Sequence, residues 1–409
     1  MKRNAVDKLI EWKESGTTVP FLLHGTKGVG KTYLAMEFAN AYYPQYLYVN
    51  FELNKAARDY FEEKASLHEN TVSEILAEYF QMDEVYLSEL VVILDEISFC
   101  PVFAKQVPLE CVSPIIAISG VQPGEEQLKM FYAWKIFPLG FDEFLSAVGS
   151  DWYIDIIQGH FQNVKPMPDI VHQELLALFE EYLIVGGMPA AINEYISSKS
   201  IYNVGEVHSL VNARMKSVLE TTYDEKTIGM AVQVLNVLPK QLKKANKRFR
   251  FNLIRKGVTY ALYKDSIDAL VNCGMVLLLN EQKKNKSHFK LYFPDVGMMS
   301  SAFLGEEDEY IRKALLENYV MQTLENSQAF ELCFWESEAQ AKVDFILKKD
   351  GKETPVELRT STSGKGKSIA SYQASNNCEG QKYYRFGFEN FYSTSVMMQV
   401  PYYAVFCIR

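Results

Sequence analysis

A chain of 409 residues that is 48% apolar, 13% aromatic and 23% charged has room for two to four domains, and this average globular composition excludes disordered, collagen-like and disulfide-dense classes. A net charge of −9 excludes a uniformly basic surface that coats nucleic acid and leaves the question to local patches. Six cysteines (Cys100, Cys111, Cys273, Cys333, Cys378, Cys407) without a CxxC, and histidines without an HxxxH, indicate neither a zinc site nor a disulfide framework. The opening MKRNAVDKLIEW sets Asp7 and Lys8 where a signal peptide needs an apolar core, and no apolar run approaches the ~20 residues of a span. A cytoplasmic protein with reduced thiols and no membrane partner is expected.

In chain order, residues 19–24 read as a buried strand, followed by a glycine-rich turn, a helix over 31–42 and a second strand over 46–51. Apolar runs at 90–94 and 113–118 have the pattern of parallel strands covered on both faces, so the first 145 residues predict a doubly wound α/β unit. Residues 174–195, broken by Gly186-Gly187-Met188-Pro189, and residues 207–238 carry helical periodicity. Residues 239–256 hold eight lysines and arginines and no acid, ahead of a predicted helix over 260–273 stopped by Gly274. Strands at 275–279 and 288–293 then form a hairpin, and helix, turn, helix and hairpin is the order of a winged helix. The remainder reads as a helix over 310–325 and strands at 330–335, 342–347, 354–359, 383–388 and 402–408.

Gly25-Thr26-Lys27-Gly28-Val29-Gly30-Lys31-Thr32 matches GxxxxGK[ST] between a buried strand and a helix. Glycines in such a loop let successive backbone N–H groups turn toward phosphate oxygens. Lys31 then reaches the β- and γ-phosphates, and the Thr32 hydroxyl is a ligand for Mg²⁺. Val91-Val92-Ile93-Leu94-Asp95-Glu96 is an apolar strand ending in two carboxylates, Asp95 to hold Mg²⁺ through water and Glu96 to polarise the attacking water. Ser119, ending the next apolar strand, is a candidate for contact with the γ-phosphate or that water. ATP and Mg²⁺ are the expected cofactors.

GTKGVGKT, VVILDEI, IIAISG, FPLGFDEFL (137–145), IVGGMP (184–189), YFPDVGM (292–298), LLENYV (315–320), KVDFIL (342–347) and PVELR (355–359) resemble, in this order, the prokaryotic AAA-type ATPases that carry a C-terminal PD-(D/E)XK nuclease-like domain of unknown function. The resemblance implies a P-loop NTPase (AAA-like) domain over 1–145, a helical lid over 146–225, a winged helix over 226–303 and a small α/β restriction-endonuclease-like domain over 304–409.

Two departures stand out. Family members carry an arginine shortly before the phrase at 137–145, whereas this chain has none between Arg58 and Arg214. An arginine finger supplies ~10³–10⁵ in rate in related NTPases, so slow hydrolysis is expected unless Lys135, Arg58 or a residue from another domain or partner substitutes. In the C-terminal domain Asp344 and Glu357 stand on consecutive strands where carboxylates share a metal, but Arg359 replaces the lysine of E-x-K, which predicts a degenerate nuclease site. Glu317 either completes this acidic cluster or lies on the surface. Alternation along each strand predicts Asp344, Glu357 and Arg359 close together on one sheet face.

Residues 240–256 and the wing lysines Lys283, Lys284 and Lys286 are candidates for a duplex DNA patch. Against this, the face is solvated or paired with acids, and Asp265 and Asp268 on the recognition helix would repel phosphate. The expected function is a Mg²⁺-dependent ATPase that couples nucleotide state to the winged-helix and nuclease-like modules in a DNA-linked or defence role. The alternative is a nucleotide-gated switch with negligible hydrolysis that binds a protein partner or a second copy of the chain.

Overall fold

The computed structural model describes residues 1–110, 113–282, 287–306, 308–337, 341–360 and 367–409. Its first unit runs α1 (Val6–Glu14), β1 (Phe21–His24), α2 (Lys31–Tyr42), β2 (Tyr46–Asn50), α3 (Lys55–Leu67), α4 (Val72–Phe80), α5 (Glu84–Leu87), β3 (Val91–Asp95), α6 (Pro101–Glu110), β4 (Ile115–Ser119), α7 (Glu125–Met130) and β5 (Tyr132–Lys135). The five strands are parallel in the order β2-β3-β4-β1-β5. Side chains alternate between two cores, Phe21, Leu23, Ile93, Ile116 and Ile118 on one face and Leu22, Val92, Leu94, Ile115 and Ala117 on the other. The register sets Asn50 beside Asp95, and His24 between Ser119 and Lys135, so every carboxyl end lies along one edge, where α/β sheets take ligands. Strand β5 was not legible, because four half-buried residues carry too short a pattern.

The helical region comprises α8 (Phe141–Ala147), α9 (Trp152–Asn163), α10 (Asp169–Val185), α11 (Pro189–Ser198), α12 (Ile201–Thr222), α13 (Glu225–Leu242) and α14 (Tyr260–Asn272). Between α10 and α11 the Gly187 N–H donates to Asp295 Oδ2 at 2.6 Å, and the Gly187 carbonyl accepts from the Leu139 N–H at 2.7 Å. A Cβ on Gly187 would lie 2.1 Å from the Leu139 oxygen, so only glycine admits this approach. The phrases at 137–145, 184–189 and 292–298 therefore meet at one buried knot. No single helix among the described residues is long and apolar enough to cross a membrane; α10 and α11 pass such a test only as a pair, bent by 118°.

The last region contains β6 (Leu277–Glu281), β7 (Phe289–Tyr292), α15 (Val296–Ala302), α16 (Glu309–Ser327), β8 (Glu331–Glu336), β9 (Lys342–Lys349), β10 (Lys352–Leu358), α17 (Lys367–Ser375), β11 (Tyr383–Gly387), β12 (Tyr392–Ser393) and β13 (Met397–Pro401). They build an eight-stranded mixed sheet in the order β12-β13-β11-β10-β9-β8-β6-β7. The hairpin anticipated as the wing of a winged helix is formed by β6 and β7 and is also the edge of this sheet, with β6 parallel to β8 through Asn280 and Cys333. The sheet accordingly crosses the domain boundary expected at residue 304. Lys283, Lys284 and Lys286 lie outside the described residues. The strand anticipated at 402–408 is instead a 3₁₀ segment, Tyr402–Cys407, that follows Pro401. Tyr402 through Phe406 are all buried, and a short continuous apolar run does not distinguish a buried strand from a buried helical segment.

Candidate nucleotide site and a second charged cavity

The loop from Gly25 to Thr32 joins β1 to α2 at the carboxyl edge of the parallel sheet. Gly25 has φ 144°, and a Cβ there would lie 2.2 Å from the Ile136 oxygen, which accounts for the first glycine by close approach to the end of β5. Gly30 precedes α2 without a side-chain cap, so the first-turn N–H groups remain available to an anion. Lys31 is buried and donates to the carbonyls of Gly25 (2.8 Å) and Thr26 (3.0 Å); burial lowers its pKa. Behind the loop, Arg3 donates from Nη1 to the Val29 carbonyl and from Nη2 to the Phe137 carbonyl, both at 2.7 Å, and its Nε pairs with Glu143 at 3.2 Å. Arg3 carries no sequence signal, because its partners are 26 to 140 residues away.

Asp95 ends β3. Its Oδ2 accepts from Thr32 Oγ1 (2.9 Å), Tyr48 Oη (2.8 Å) and Asn50 Nδ2 (3.1 Å), while its buried Oδ1 has no hydrogen-bond partner among the described residues. Burial raises the Asp95 pKa against the hydrogen bonds from Tyr48 and Thr32. A hydroxyl and a carboxylate, one oxygen of it orphaned, form the hard-oxygen donor set that suits Mg²⁺, so these residues fit the expected metal. Tyr48 and Asn50 were missed in the sequence; their only signal is that they stand two apart on the neighbouring strand and so share a face.

Glu96 follows Asp95 with φ 55°, in the left-handed region. Its Oε2 accepts from the Gly120 N–H at 2.9 Å and its Oε1 lies 3.1 Å from Lys27 Nζ, which also pairs with Glu52. The Ser119 hydroxyl is committed to the turn after β4: it donates to the Val121 carbonyl (2.6 Å) and accepts from the Val121 N–H (3.2 Å). The end of β4 therefore meets Glu96 through the backbone of Gly120. The anticipated substitutes for an arginine finger are engaged elsewhere. Lys135 sits over the Phe137 ring and 4.0 Å from Glu325, and Arg58 lies over Phe99.

One further contact touches the loop. Thr26 Oγ1 donates to the Cys273 carbonyl at 3.2 Å, just beyond α14, and the Asn272 carbonyl accepts from the Gln122 N–H at 2.8 Å. The carboxyl end of α14 thus rests against both the phosphate loop and the segment after β4.

In the C-terminal sheet, Glu317, Asp344 and Glu357 do come together, lining a cavity of about 300 Å³ with Glu336, Lys247, Lys290, Lys313 and Lys342. Glu317 is fully buried, not on the surface: Lys290 and Lys247 pair with it at 2.9 Å and 3.0 Å, and Tyr292 donates to it at 2.6 Å. Burial would raise the Glu317 pKa, but the two ammonium groups outweigh burial and hold it well below the usual range. Lys290 also lies 3.6 Å from Asp344. Glu357 pairs with Arg359 at 3.6 Å, which stands beside it as expected, and more closely with a second arginine, Arg385, at 2.7 Å. Among the described residues no group of three or more His, Cys, Asp or Glu is arranged to hold a metal ion. Lys247, expected on a DNA-facing patch, is 4% exposed inside this cluster, and Lys243 pairs with Glu306.

Comparison with known proteins assigns the first unit. Residues 18–111 match a family model described as an AAA domain. Residues 176–309 and 312–403 match two models, each described as a domain of unknown function (DUF8612 and DUF4143). No curated protein matches the chain. Among solved structures, a Walker-type ATPase of Pyrococcus abyssi is similar at 15% identity over 74% of this chain and 95% of its own, with a TM-score of 0.45. A STAND protein with a tetratricopeptide repeat sensor from Pyrococcus horikoshii is similar at 13% identity over 80% of this chain and 45% of its own, with a TM-score of 0.26. The first unit is an AAA-type P-loop ATPase domain.

Proposed function

We propose that the protein is a slow Mg²⁺-dependent ATPase whose nucleotide state is transmitted to the C-terminal sheet. The observation that carries this reading is the juxtaposition of Thr32 and Asp95, 2.9 Å apart, with the second Asp95 oxygen buried and orphaned and Glu96 next in the chain. Magnesium at Thr32 and Asp95 would neutralise phosphate charge. The loop amides and Lys31 would bind and orient the phosphates, and Glu96, anchored by the Gly120 N–H, would accept a proton from water. In that step water oxygen bonds to the γ-phosphorus, the bond to the β–γ bridging oxygen breaks, and its electron pair leaves with ADP.

A nucleotide-gated switch with negligible hydrolysis is the second reading, favoured by Lys27 pairing with the very carboxylate that would serve as base. Calorimetric titration with ATP, with and without Mg²⁺, together with multiple-turnover phosphate release, separates the two. Tight binding that needs Mg²⁺, lost in Lys31→Ala and kept in Glu96→Gln, with release slower than the ~10 s⁻¹ typical of enzymes, supports the ATPase. Equal affinity in wild type and Lys31→Ala overturns the nucleotide site. Binding without release leaves the switch. A DNA-linked or defence role rests on the resemblance alone, and release measured with and without duplex DNA tests it.

A further inference from the structure

We infer that the side chain of Lys27, inside the phosphate loop, is the in-chain cation that takes the place of the missing arginine finger. The inference rests on the ATPase reading above and concerns an atom that reading does not use. In a GxxxxGK[ST] loop this position is valued for its backbone N–H. Here its ammonium is anchored 3.1 Å from Glu96 Oε1 and also pairs with Glu52, two residues beyond β2. One cation thus stands between two carboxylates beside the residue that would activate water.

Charge balance gives this ammonium two positions. Without nucleotide, the ammonium neutralises a pair of partly buried acids that would otherwise repel each other. Burial works against its charge, but Glu96 and Glu52 more than offset this, and its pKa is raised, so it is a permanent cation at neutral pH. A γ-phosphate arriving beside Glu96 brings more negative charge than either carboxylate and draws the ammonium from them. The same movement frees Glu96 Oε1 to accept a proton while Gly120 keeps Oε2 in place. Withdrawal of the cation from the base and its delivery to the phosphoryl group are therefore one event. The other cations fit less well: Lys31 is folded onto the loop carbonyls, and Lys135 and Arg58 are held on aromatic rings.

The test compares Lys27→Ala and Lys27→Arg with wild type in three measurements: ADP affinity, single-turnover ATP hydrolysis, and capture of ADP with aluminium fluoride, which mimics the phosphoryl group in transfer. Lys27→Ala is expected to keep ADP affinity within about threefold and to lose about 10²–10³-fold in hydrolysis, the loss seen on removing one donor to a developing charge. It should also fail to capture the fluoride complex, and Lys27→Arg should restore capture. Hydrolysis and capture within threefold of wild type in Lys27→Ala overturn the inference, as does loss of ADP binding to the level of Lys31→Ala. Wild-type protein that neither hydrolyses ATP nor captures the complex overturns the ATPase reading and this inference with it.

Discussion

The ammonium of Lys290 lies 3.6 Å from the carboxylate of Asp344 and, on its other side, 2.9 Å from Glu317. An internal cation thus stands between acidic side chains that sequence reasoning assigned to a divalent metal. Lys290 is buried; burial lowers its pKa, but Glu317 and Asp344 outweigh that and raise it, so its proton is not released near neutrality. No Mg²⁺- or Mn²⁺-dependent cleavage of single-stranded or duplex DNA is expected, with or without ATP. Cleavage that disappears in both Asp344→Ala and Glu357→Ala would reverse this assignment.

Removing one partner of the buried cluster leaves a charge uncompensated. Lys247→Ala is expected to cost about 3 kcal/mol in urea unfolding, as broken buried ion pairs do, because Lys247 and Glu317 are 4% and 1% exposed. Lys244→Ala, on an exposed side chain four residues after Lys240, should stay within about 0.5 kcal/mol of wild type. Any duplex affinity of the 240–256 segment therefore belongs to Lys240, Lys244, Arg250, Arg255 and Lys256, which are exposed. Charge reversal among them should lower the salt slope by about 0.9 for each lost phosphate contact, whereas Lys247→Glu should act on folding.

His24, at the end of β1, is buried between Lys31 and Lys135. Burial first, and these two cations second, push its pKa down to about 4 from 6.5. The unfolded chain takes up this proton first, so stability is complete above pH 6.5 and falls as pH drops toward 4, by about 3 kcal/mol for this group. Denaturant unfolding of His24→Gln and wild type at pH 7 and pH 4 measures it: the variant should lose about 3 kcal/mol less across that interval.

Asp95 is a buried acid whose raised pKa means the fold favours its protonated form, so its ionisation destabilises the nucleotide-free protein as pH rises above the carboxylate range. Asp95→Asn should raise the thermal stability of the nucleotide-free chain at pH 7, because the amide has no charge to desolvate, and remove the Mg²⁺-dependent part of ATP affinity. Thermal unfolding and calorimetric titration read the two effects separately.

These sites differ in how much of them local sequence could reveal. Gly25 to Thr32 and Val91 to Glu96 are contiguous words whose spacing states their chemistry, and the parallel sheet brings them together as expected. Tyr48 and Asn50 complete the Asp95 site through strand register, which one strand alone does not display. The carboxylates Asp344 and Glu357 were legible as a pair, with Glu317 left between cluster and surface, but the cations that fill the set come from Lys247 in the segment after α13, Lys290 on β7 and Arg385 on β11. Charges supplied across long sequence separation leave no periodicity. The Tyr402–Cys407 segment was misread for a related reason: a run buried on all sides has no polar face to report its period.

The seat of α14 on the phosphate loop has an electrostatic consequence. A helix ends in unpaired carbonyls carrying about half a negative charge, and here the Cys273 carbonyl is directed at Thr26. A nucleotide entering the loop therefore meets this helix end as a neighbouring negative pole. Gly274 permits that seat: its φ is 64°, and a Cβ there would lie 2.7 Å from Thr26 Cβ, so any side chain at this position would push the helix end and the loop apart. Only two residues separate Gly274 from β6, and β6 pairs with the strand that carries Lys290, so a short connection joins the seat on Thr26 to the edge of the C-terminal sheet.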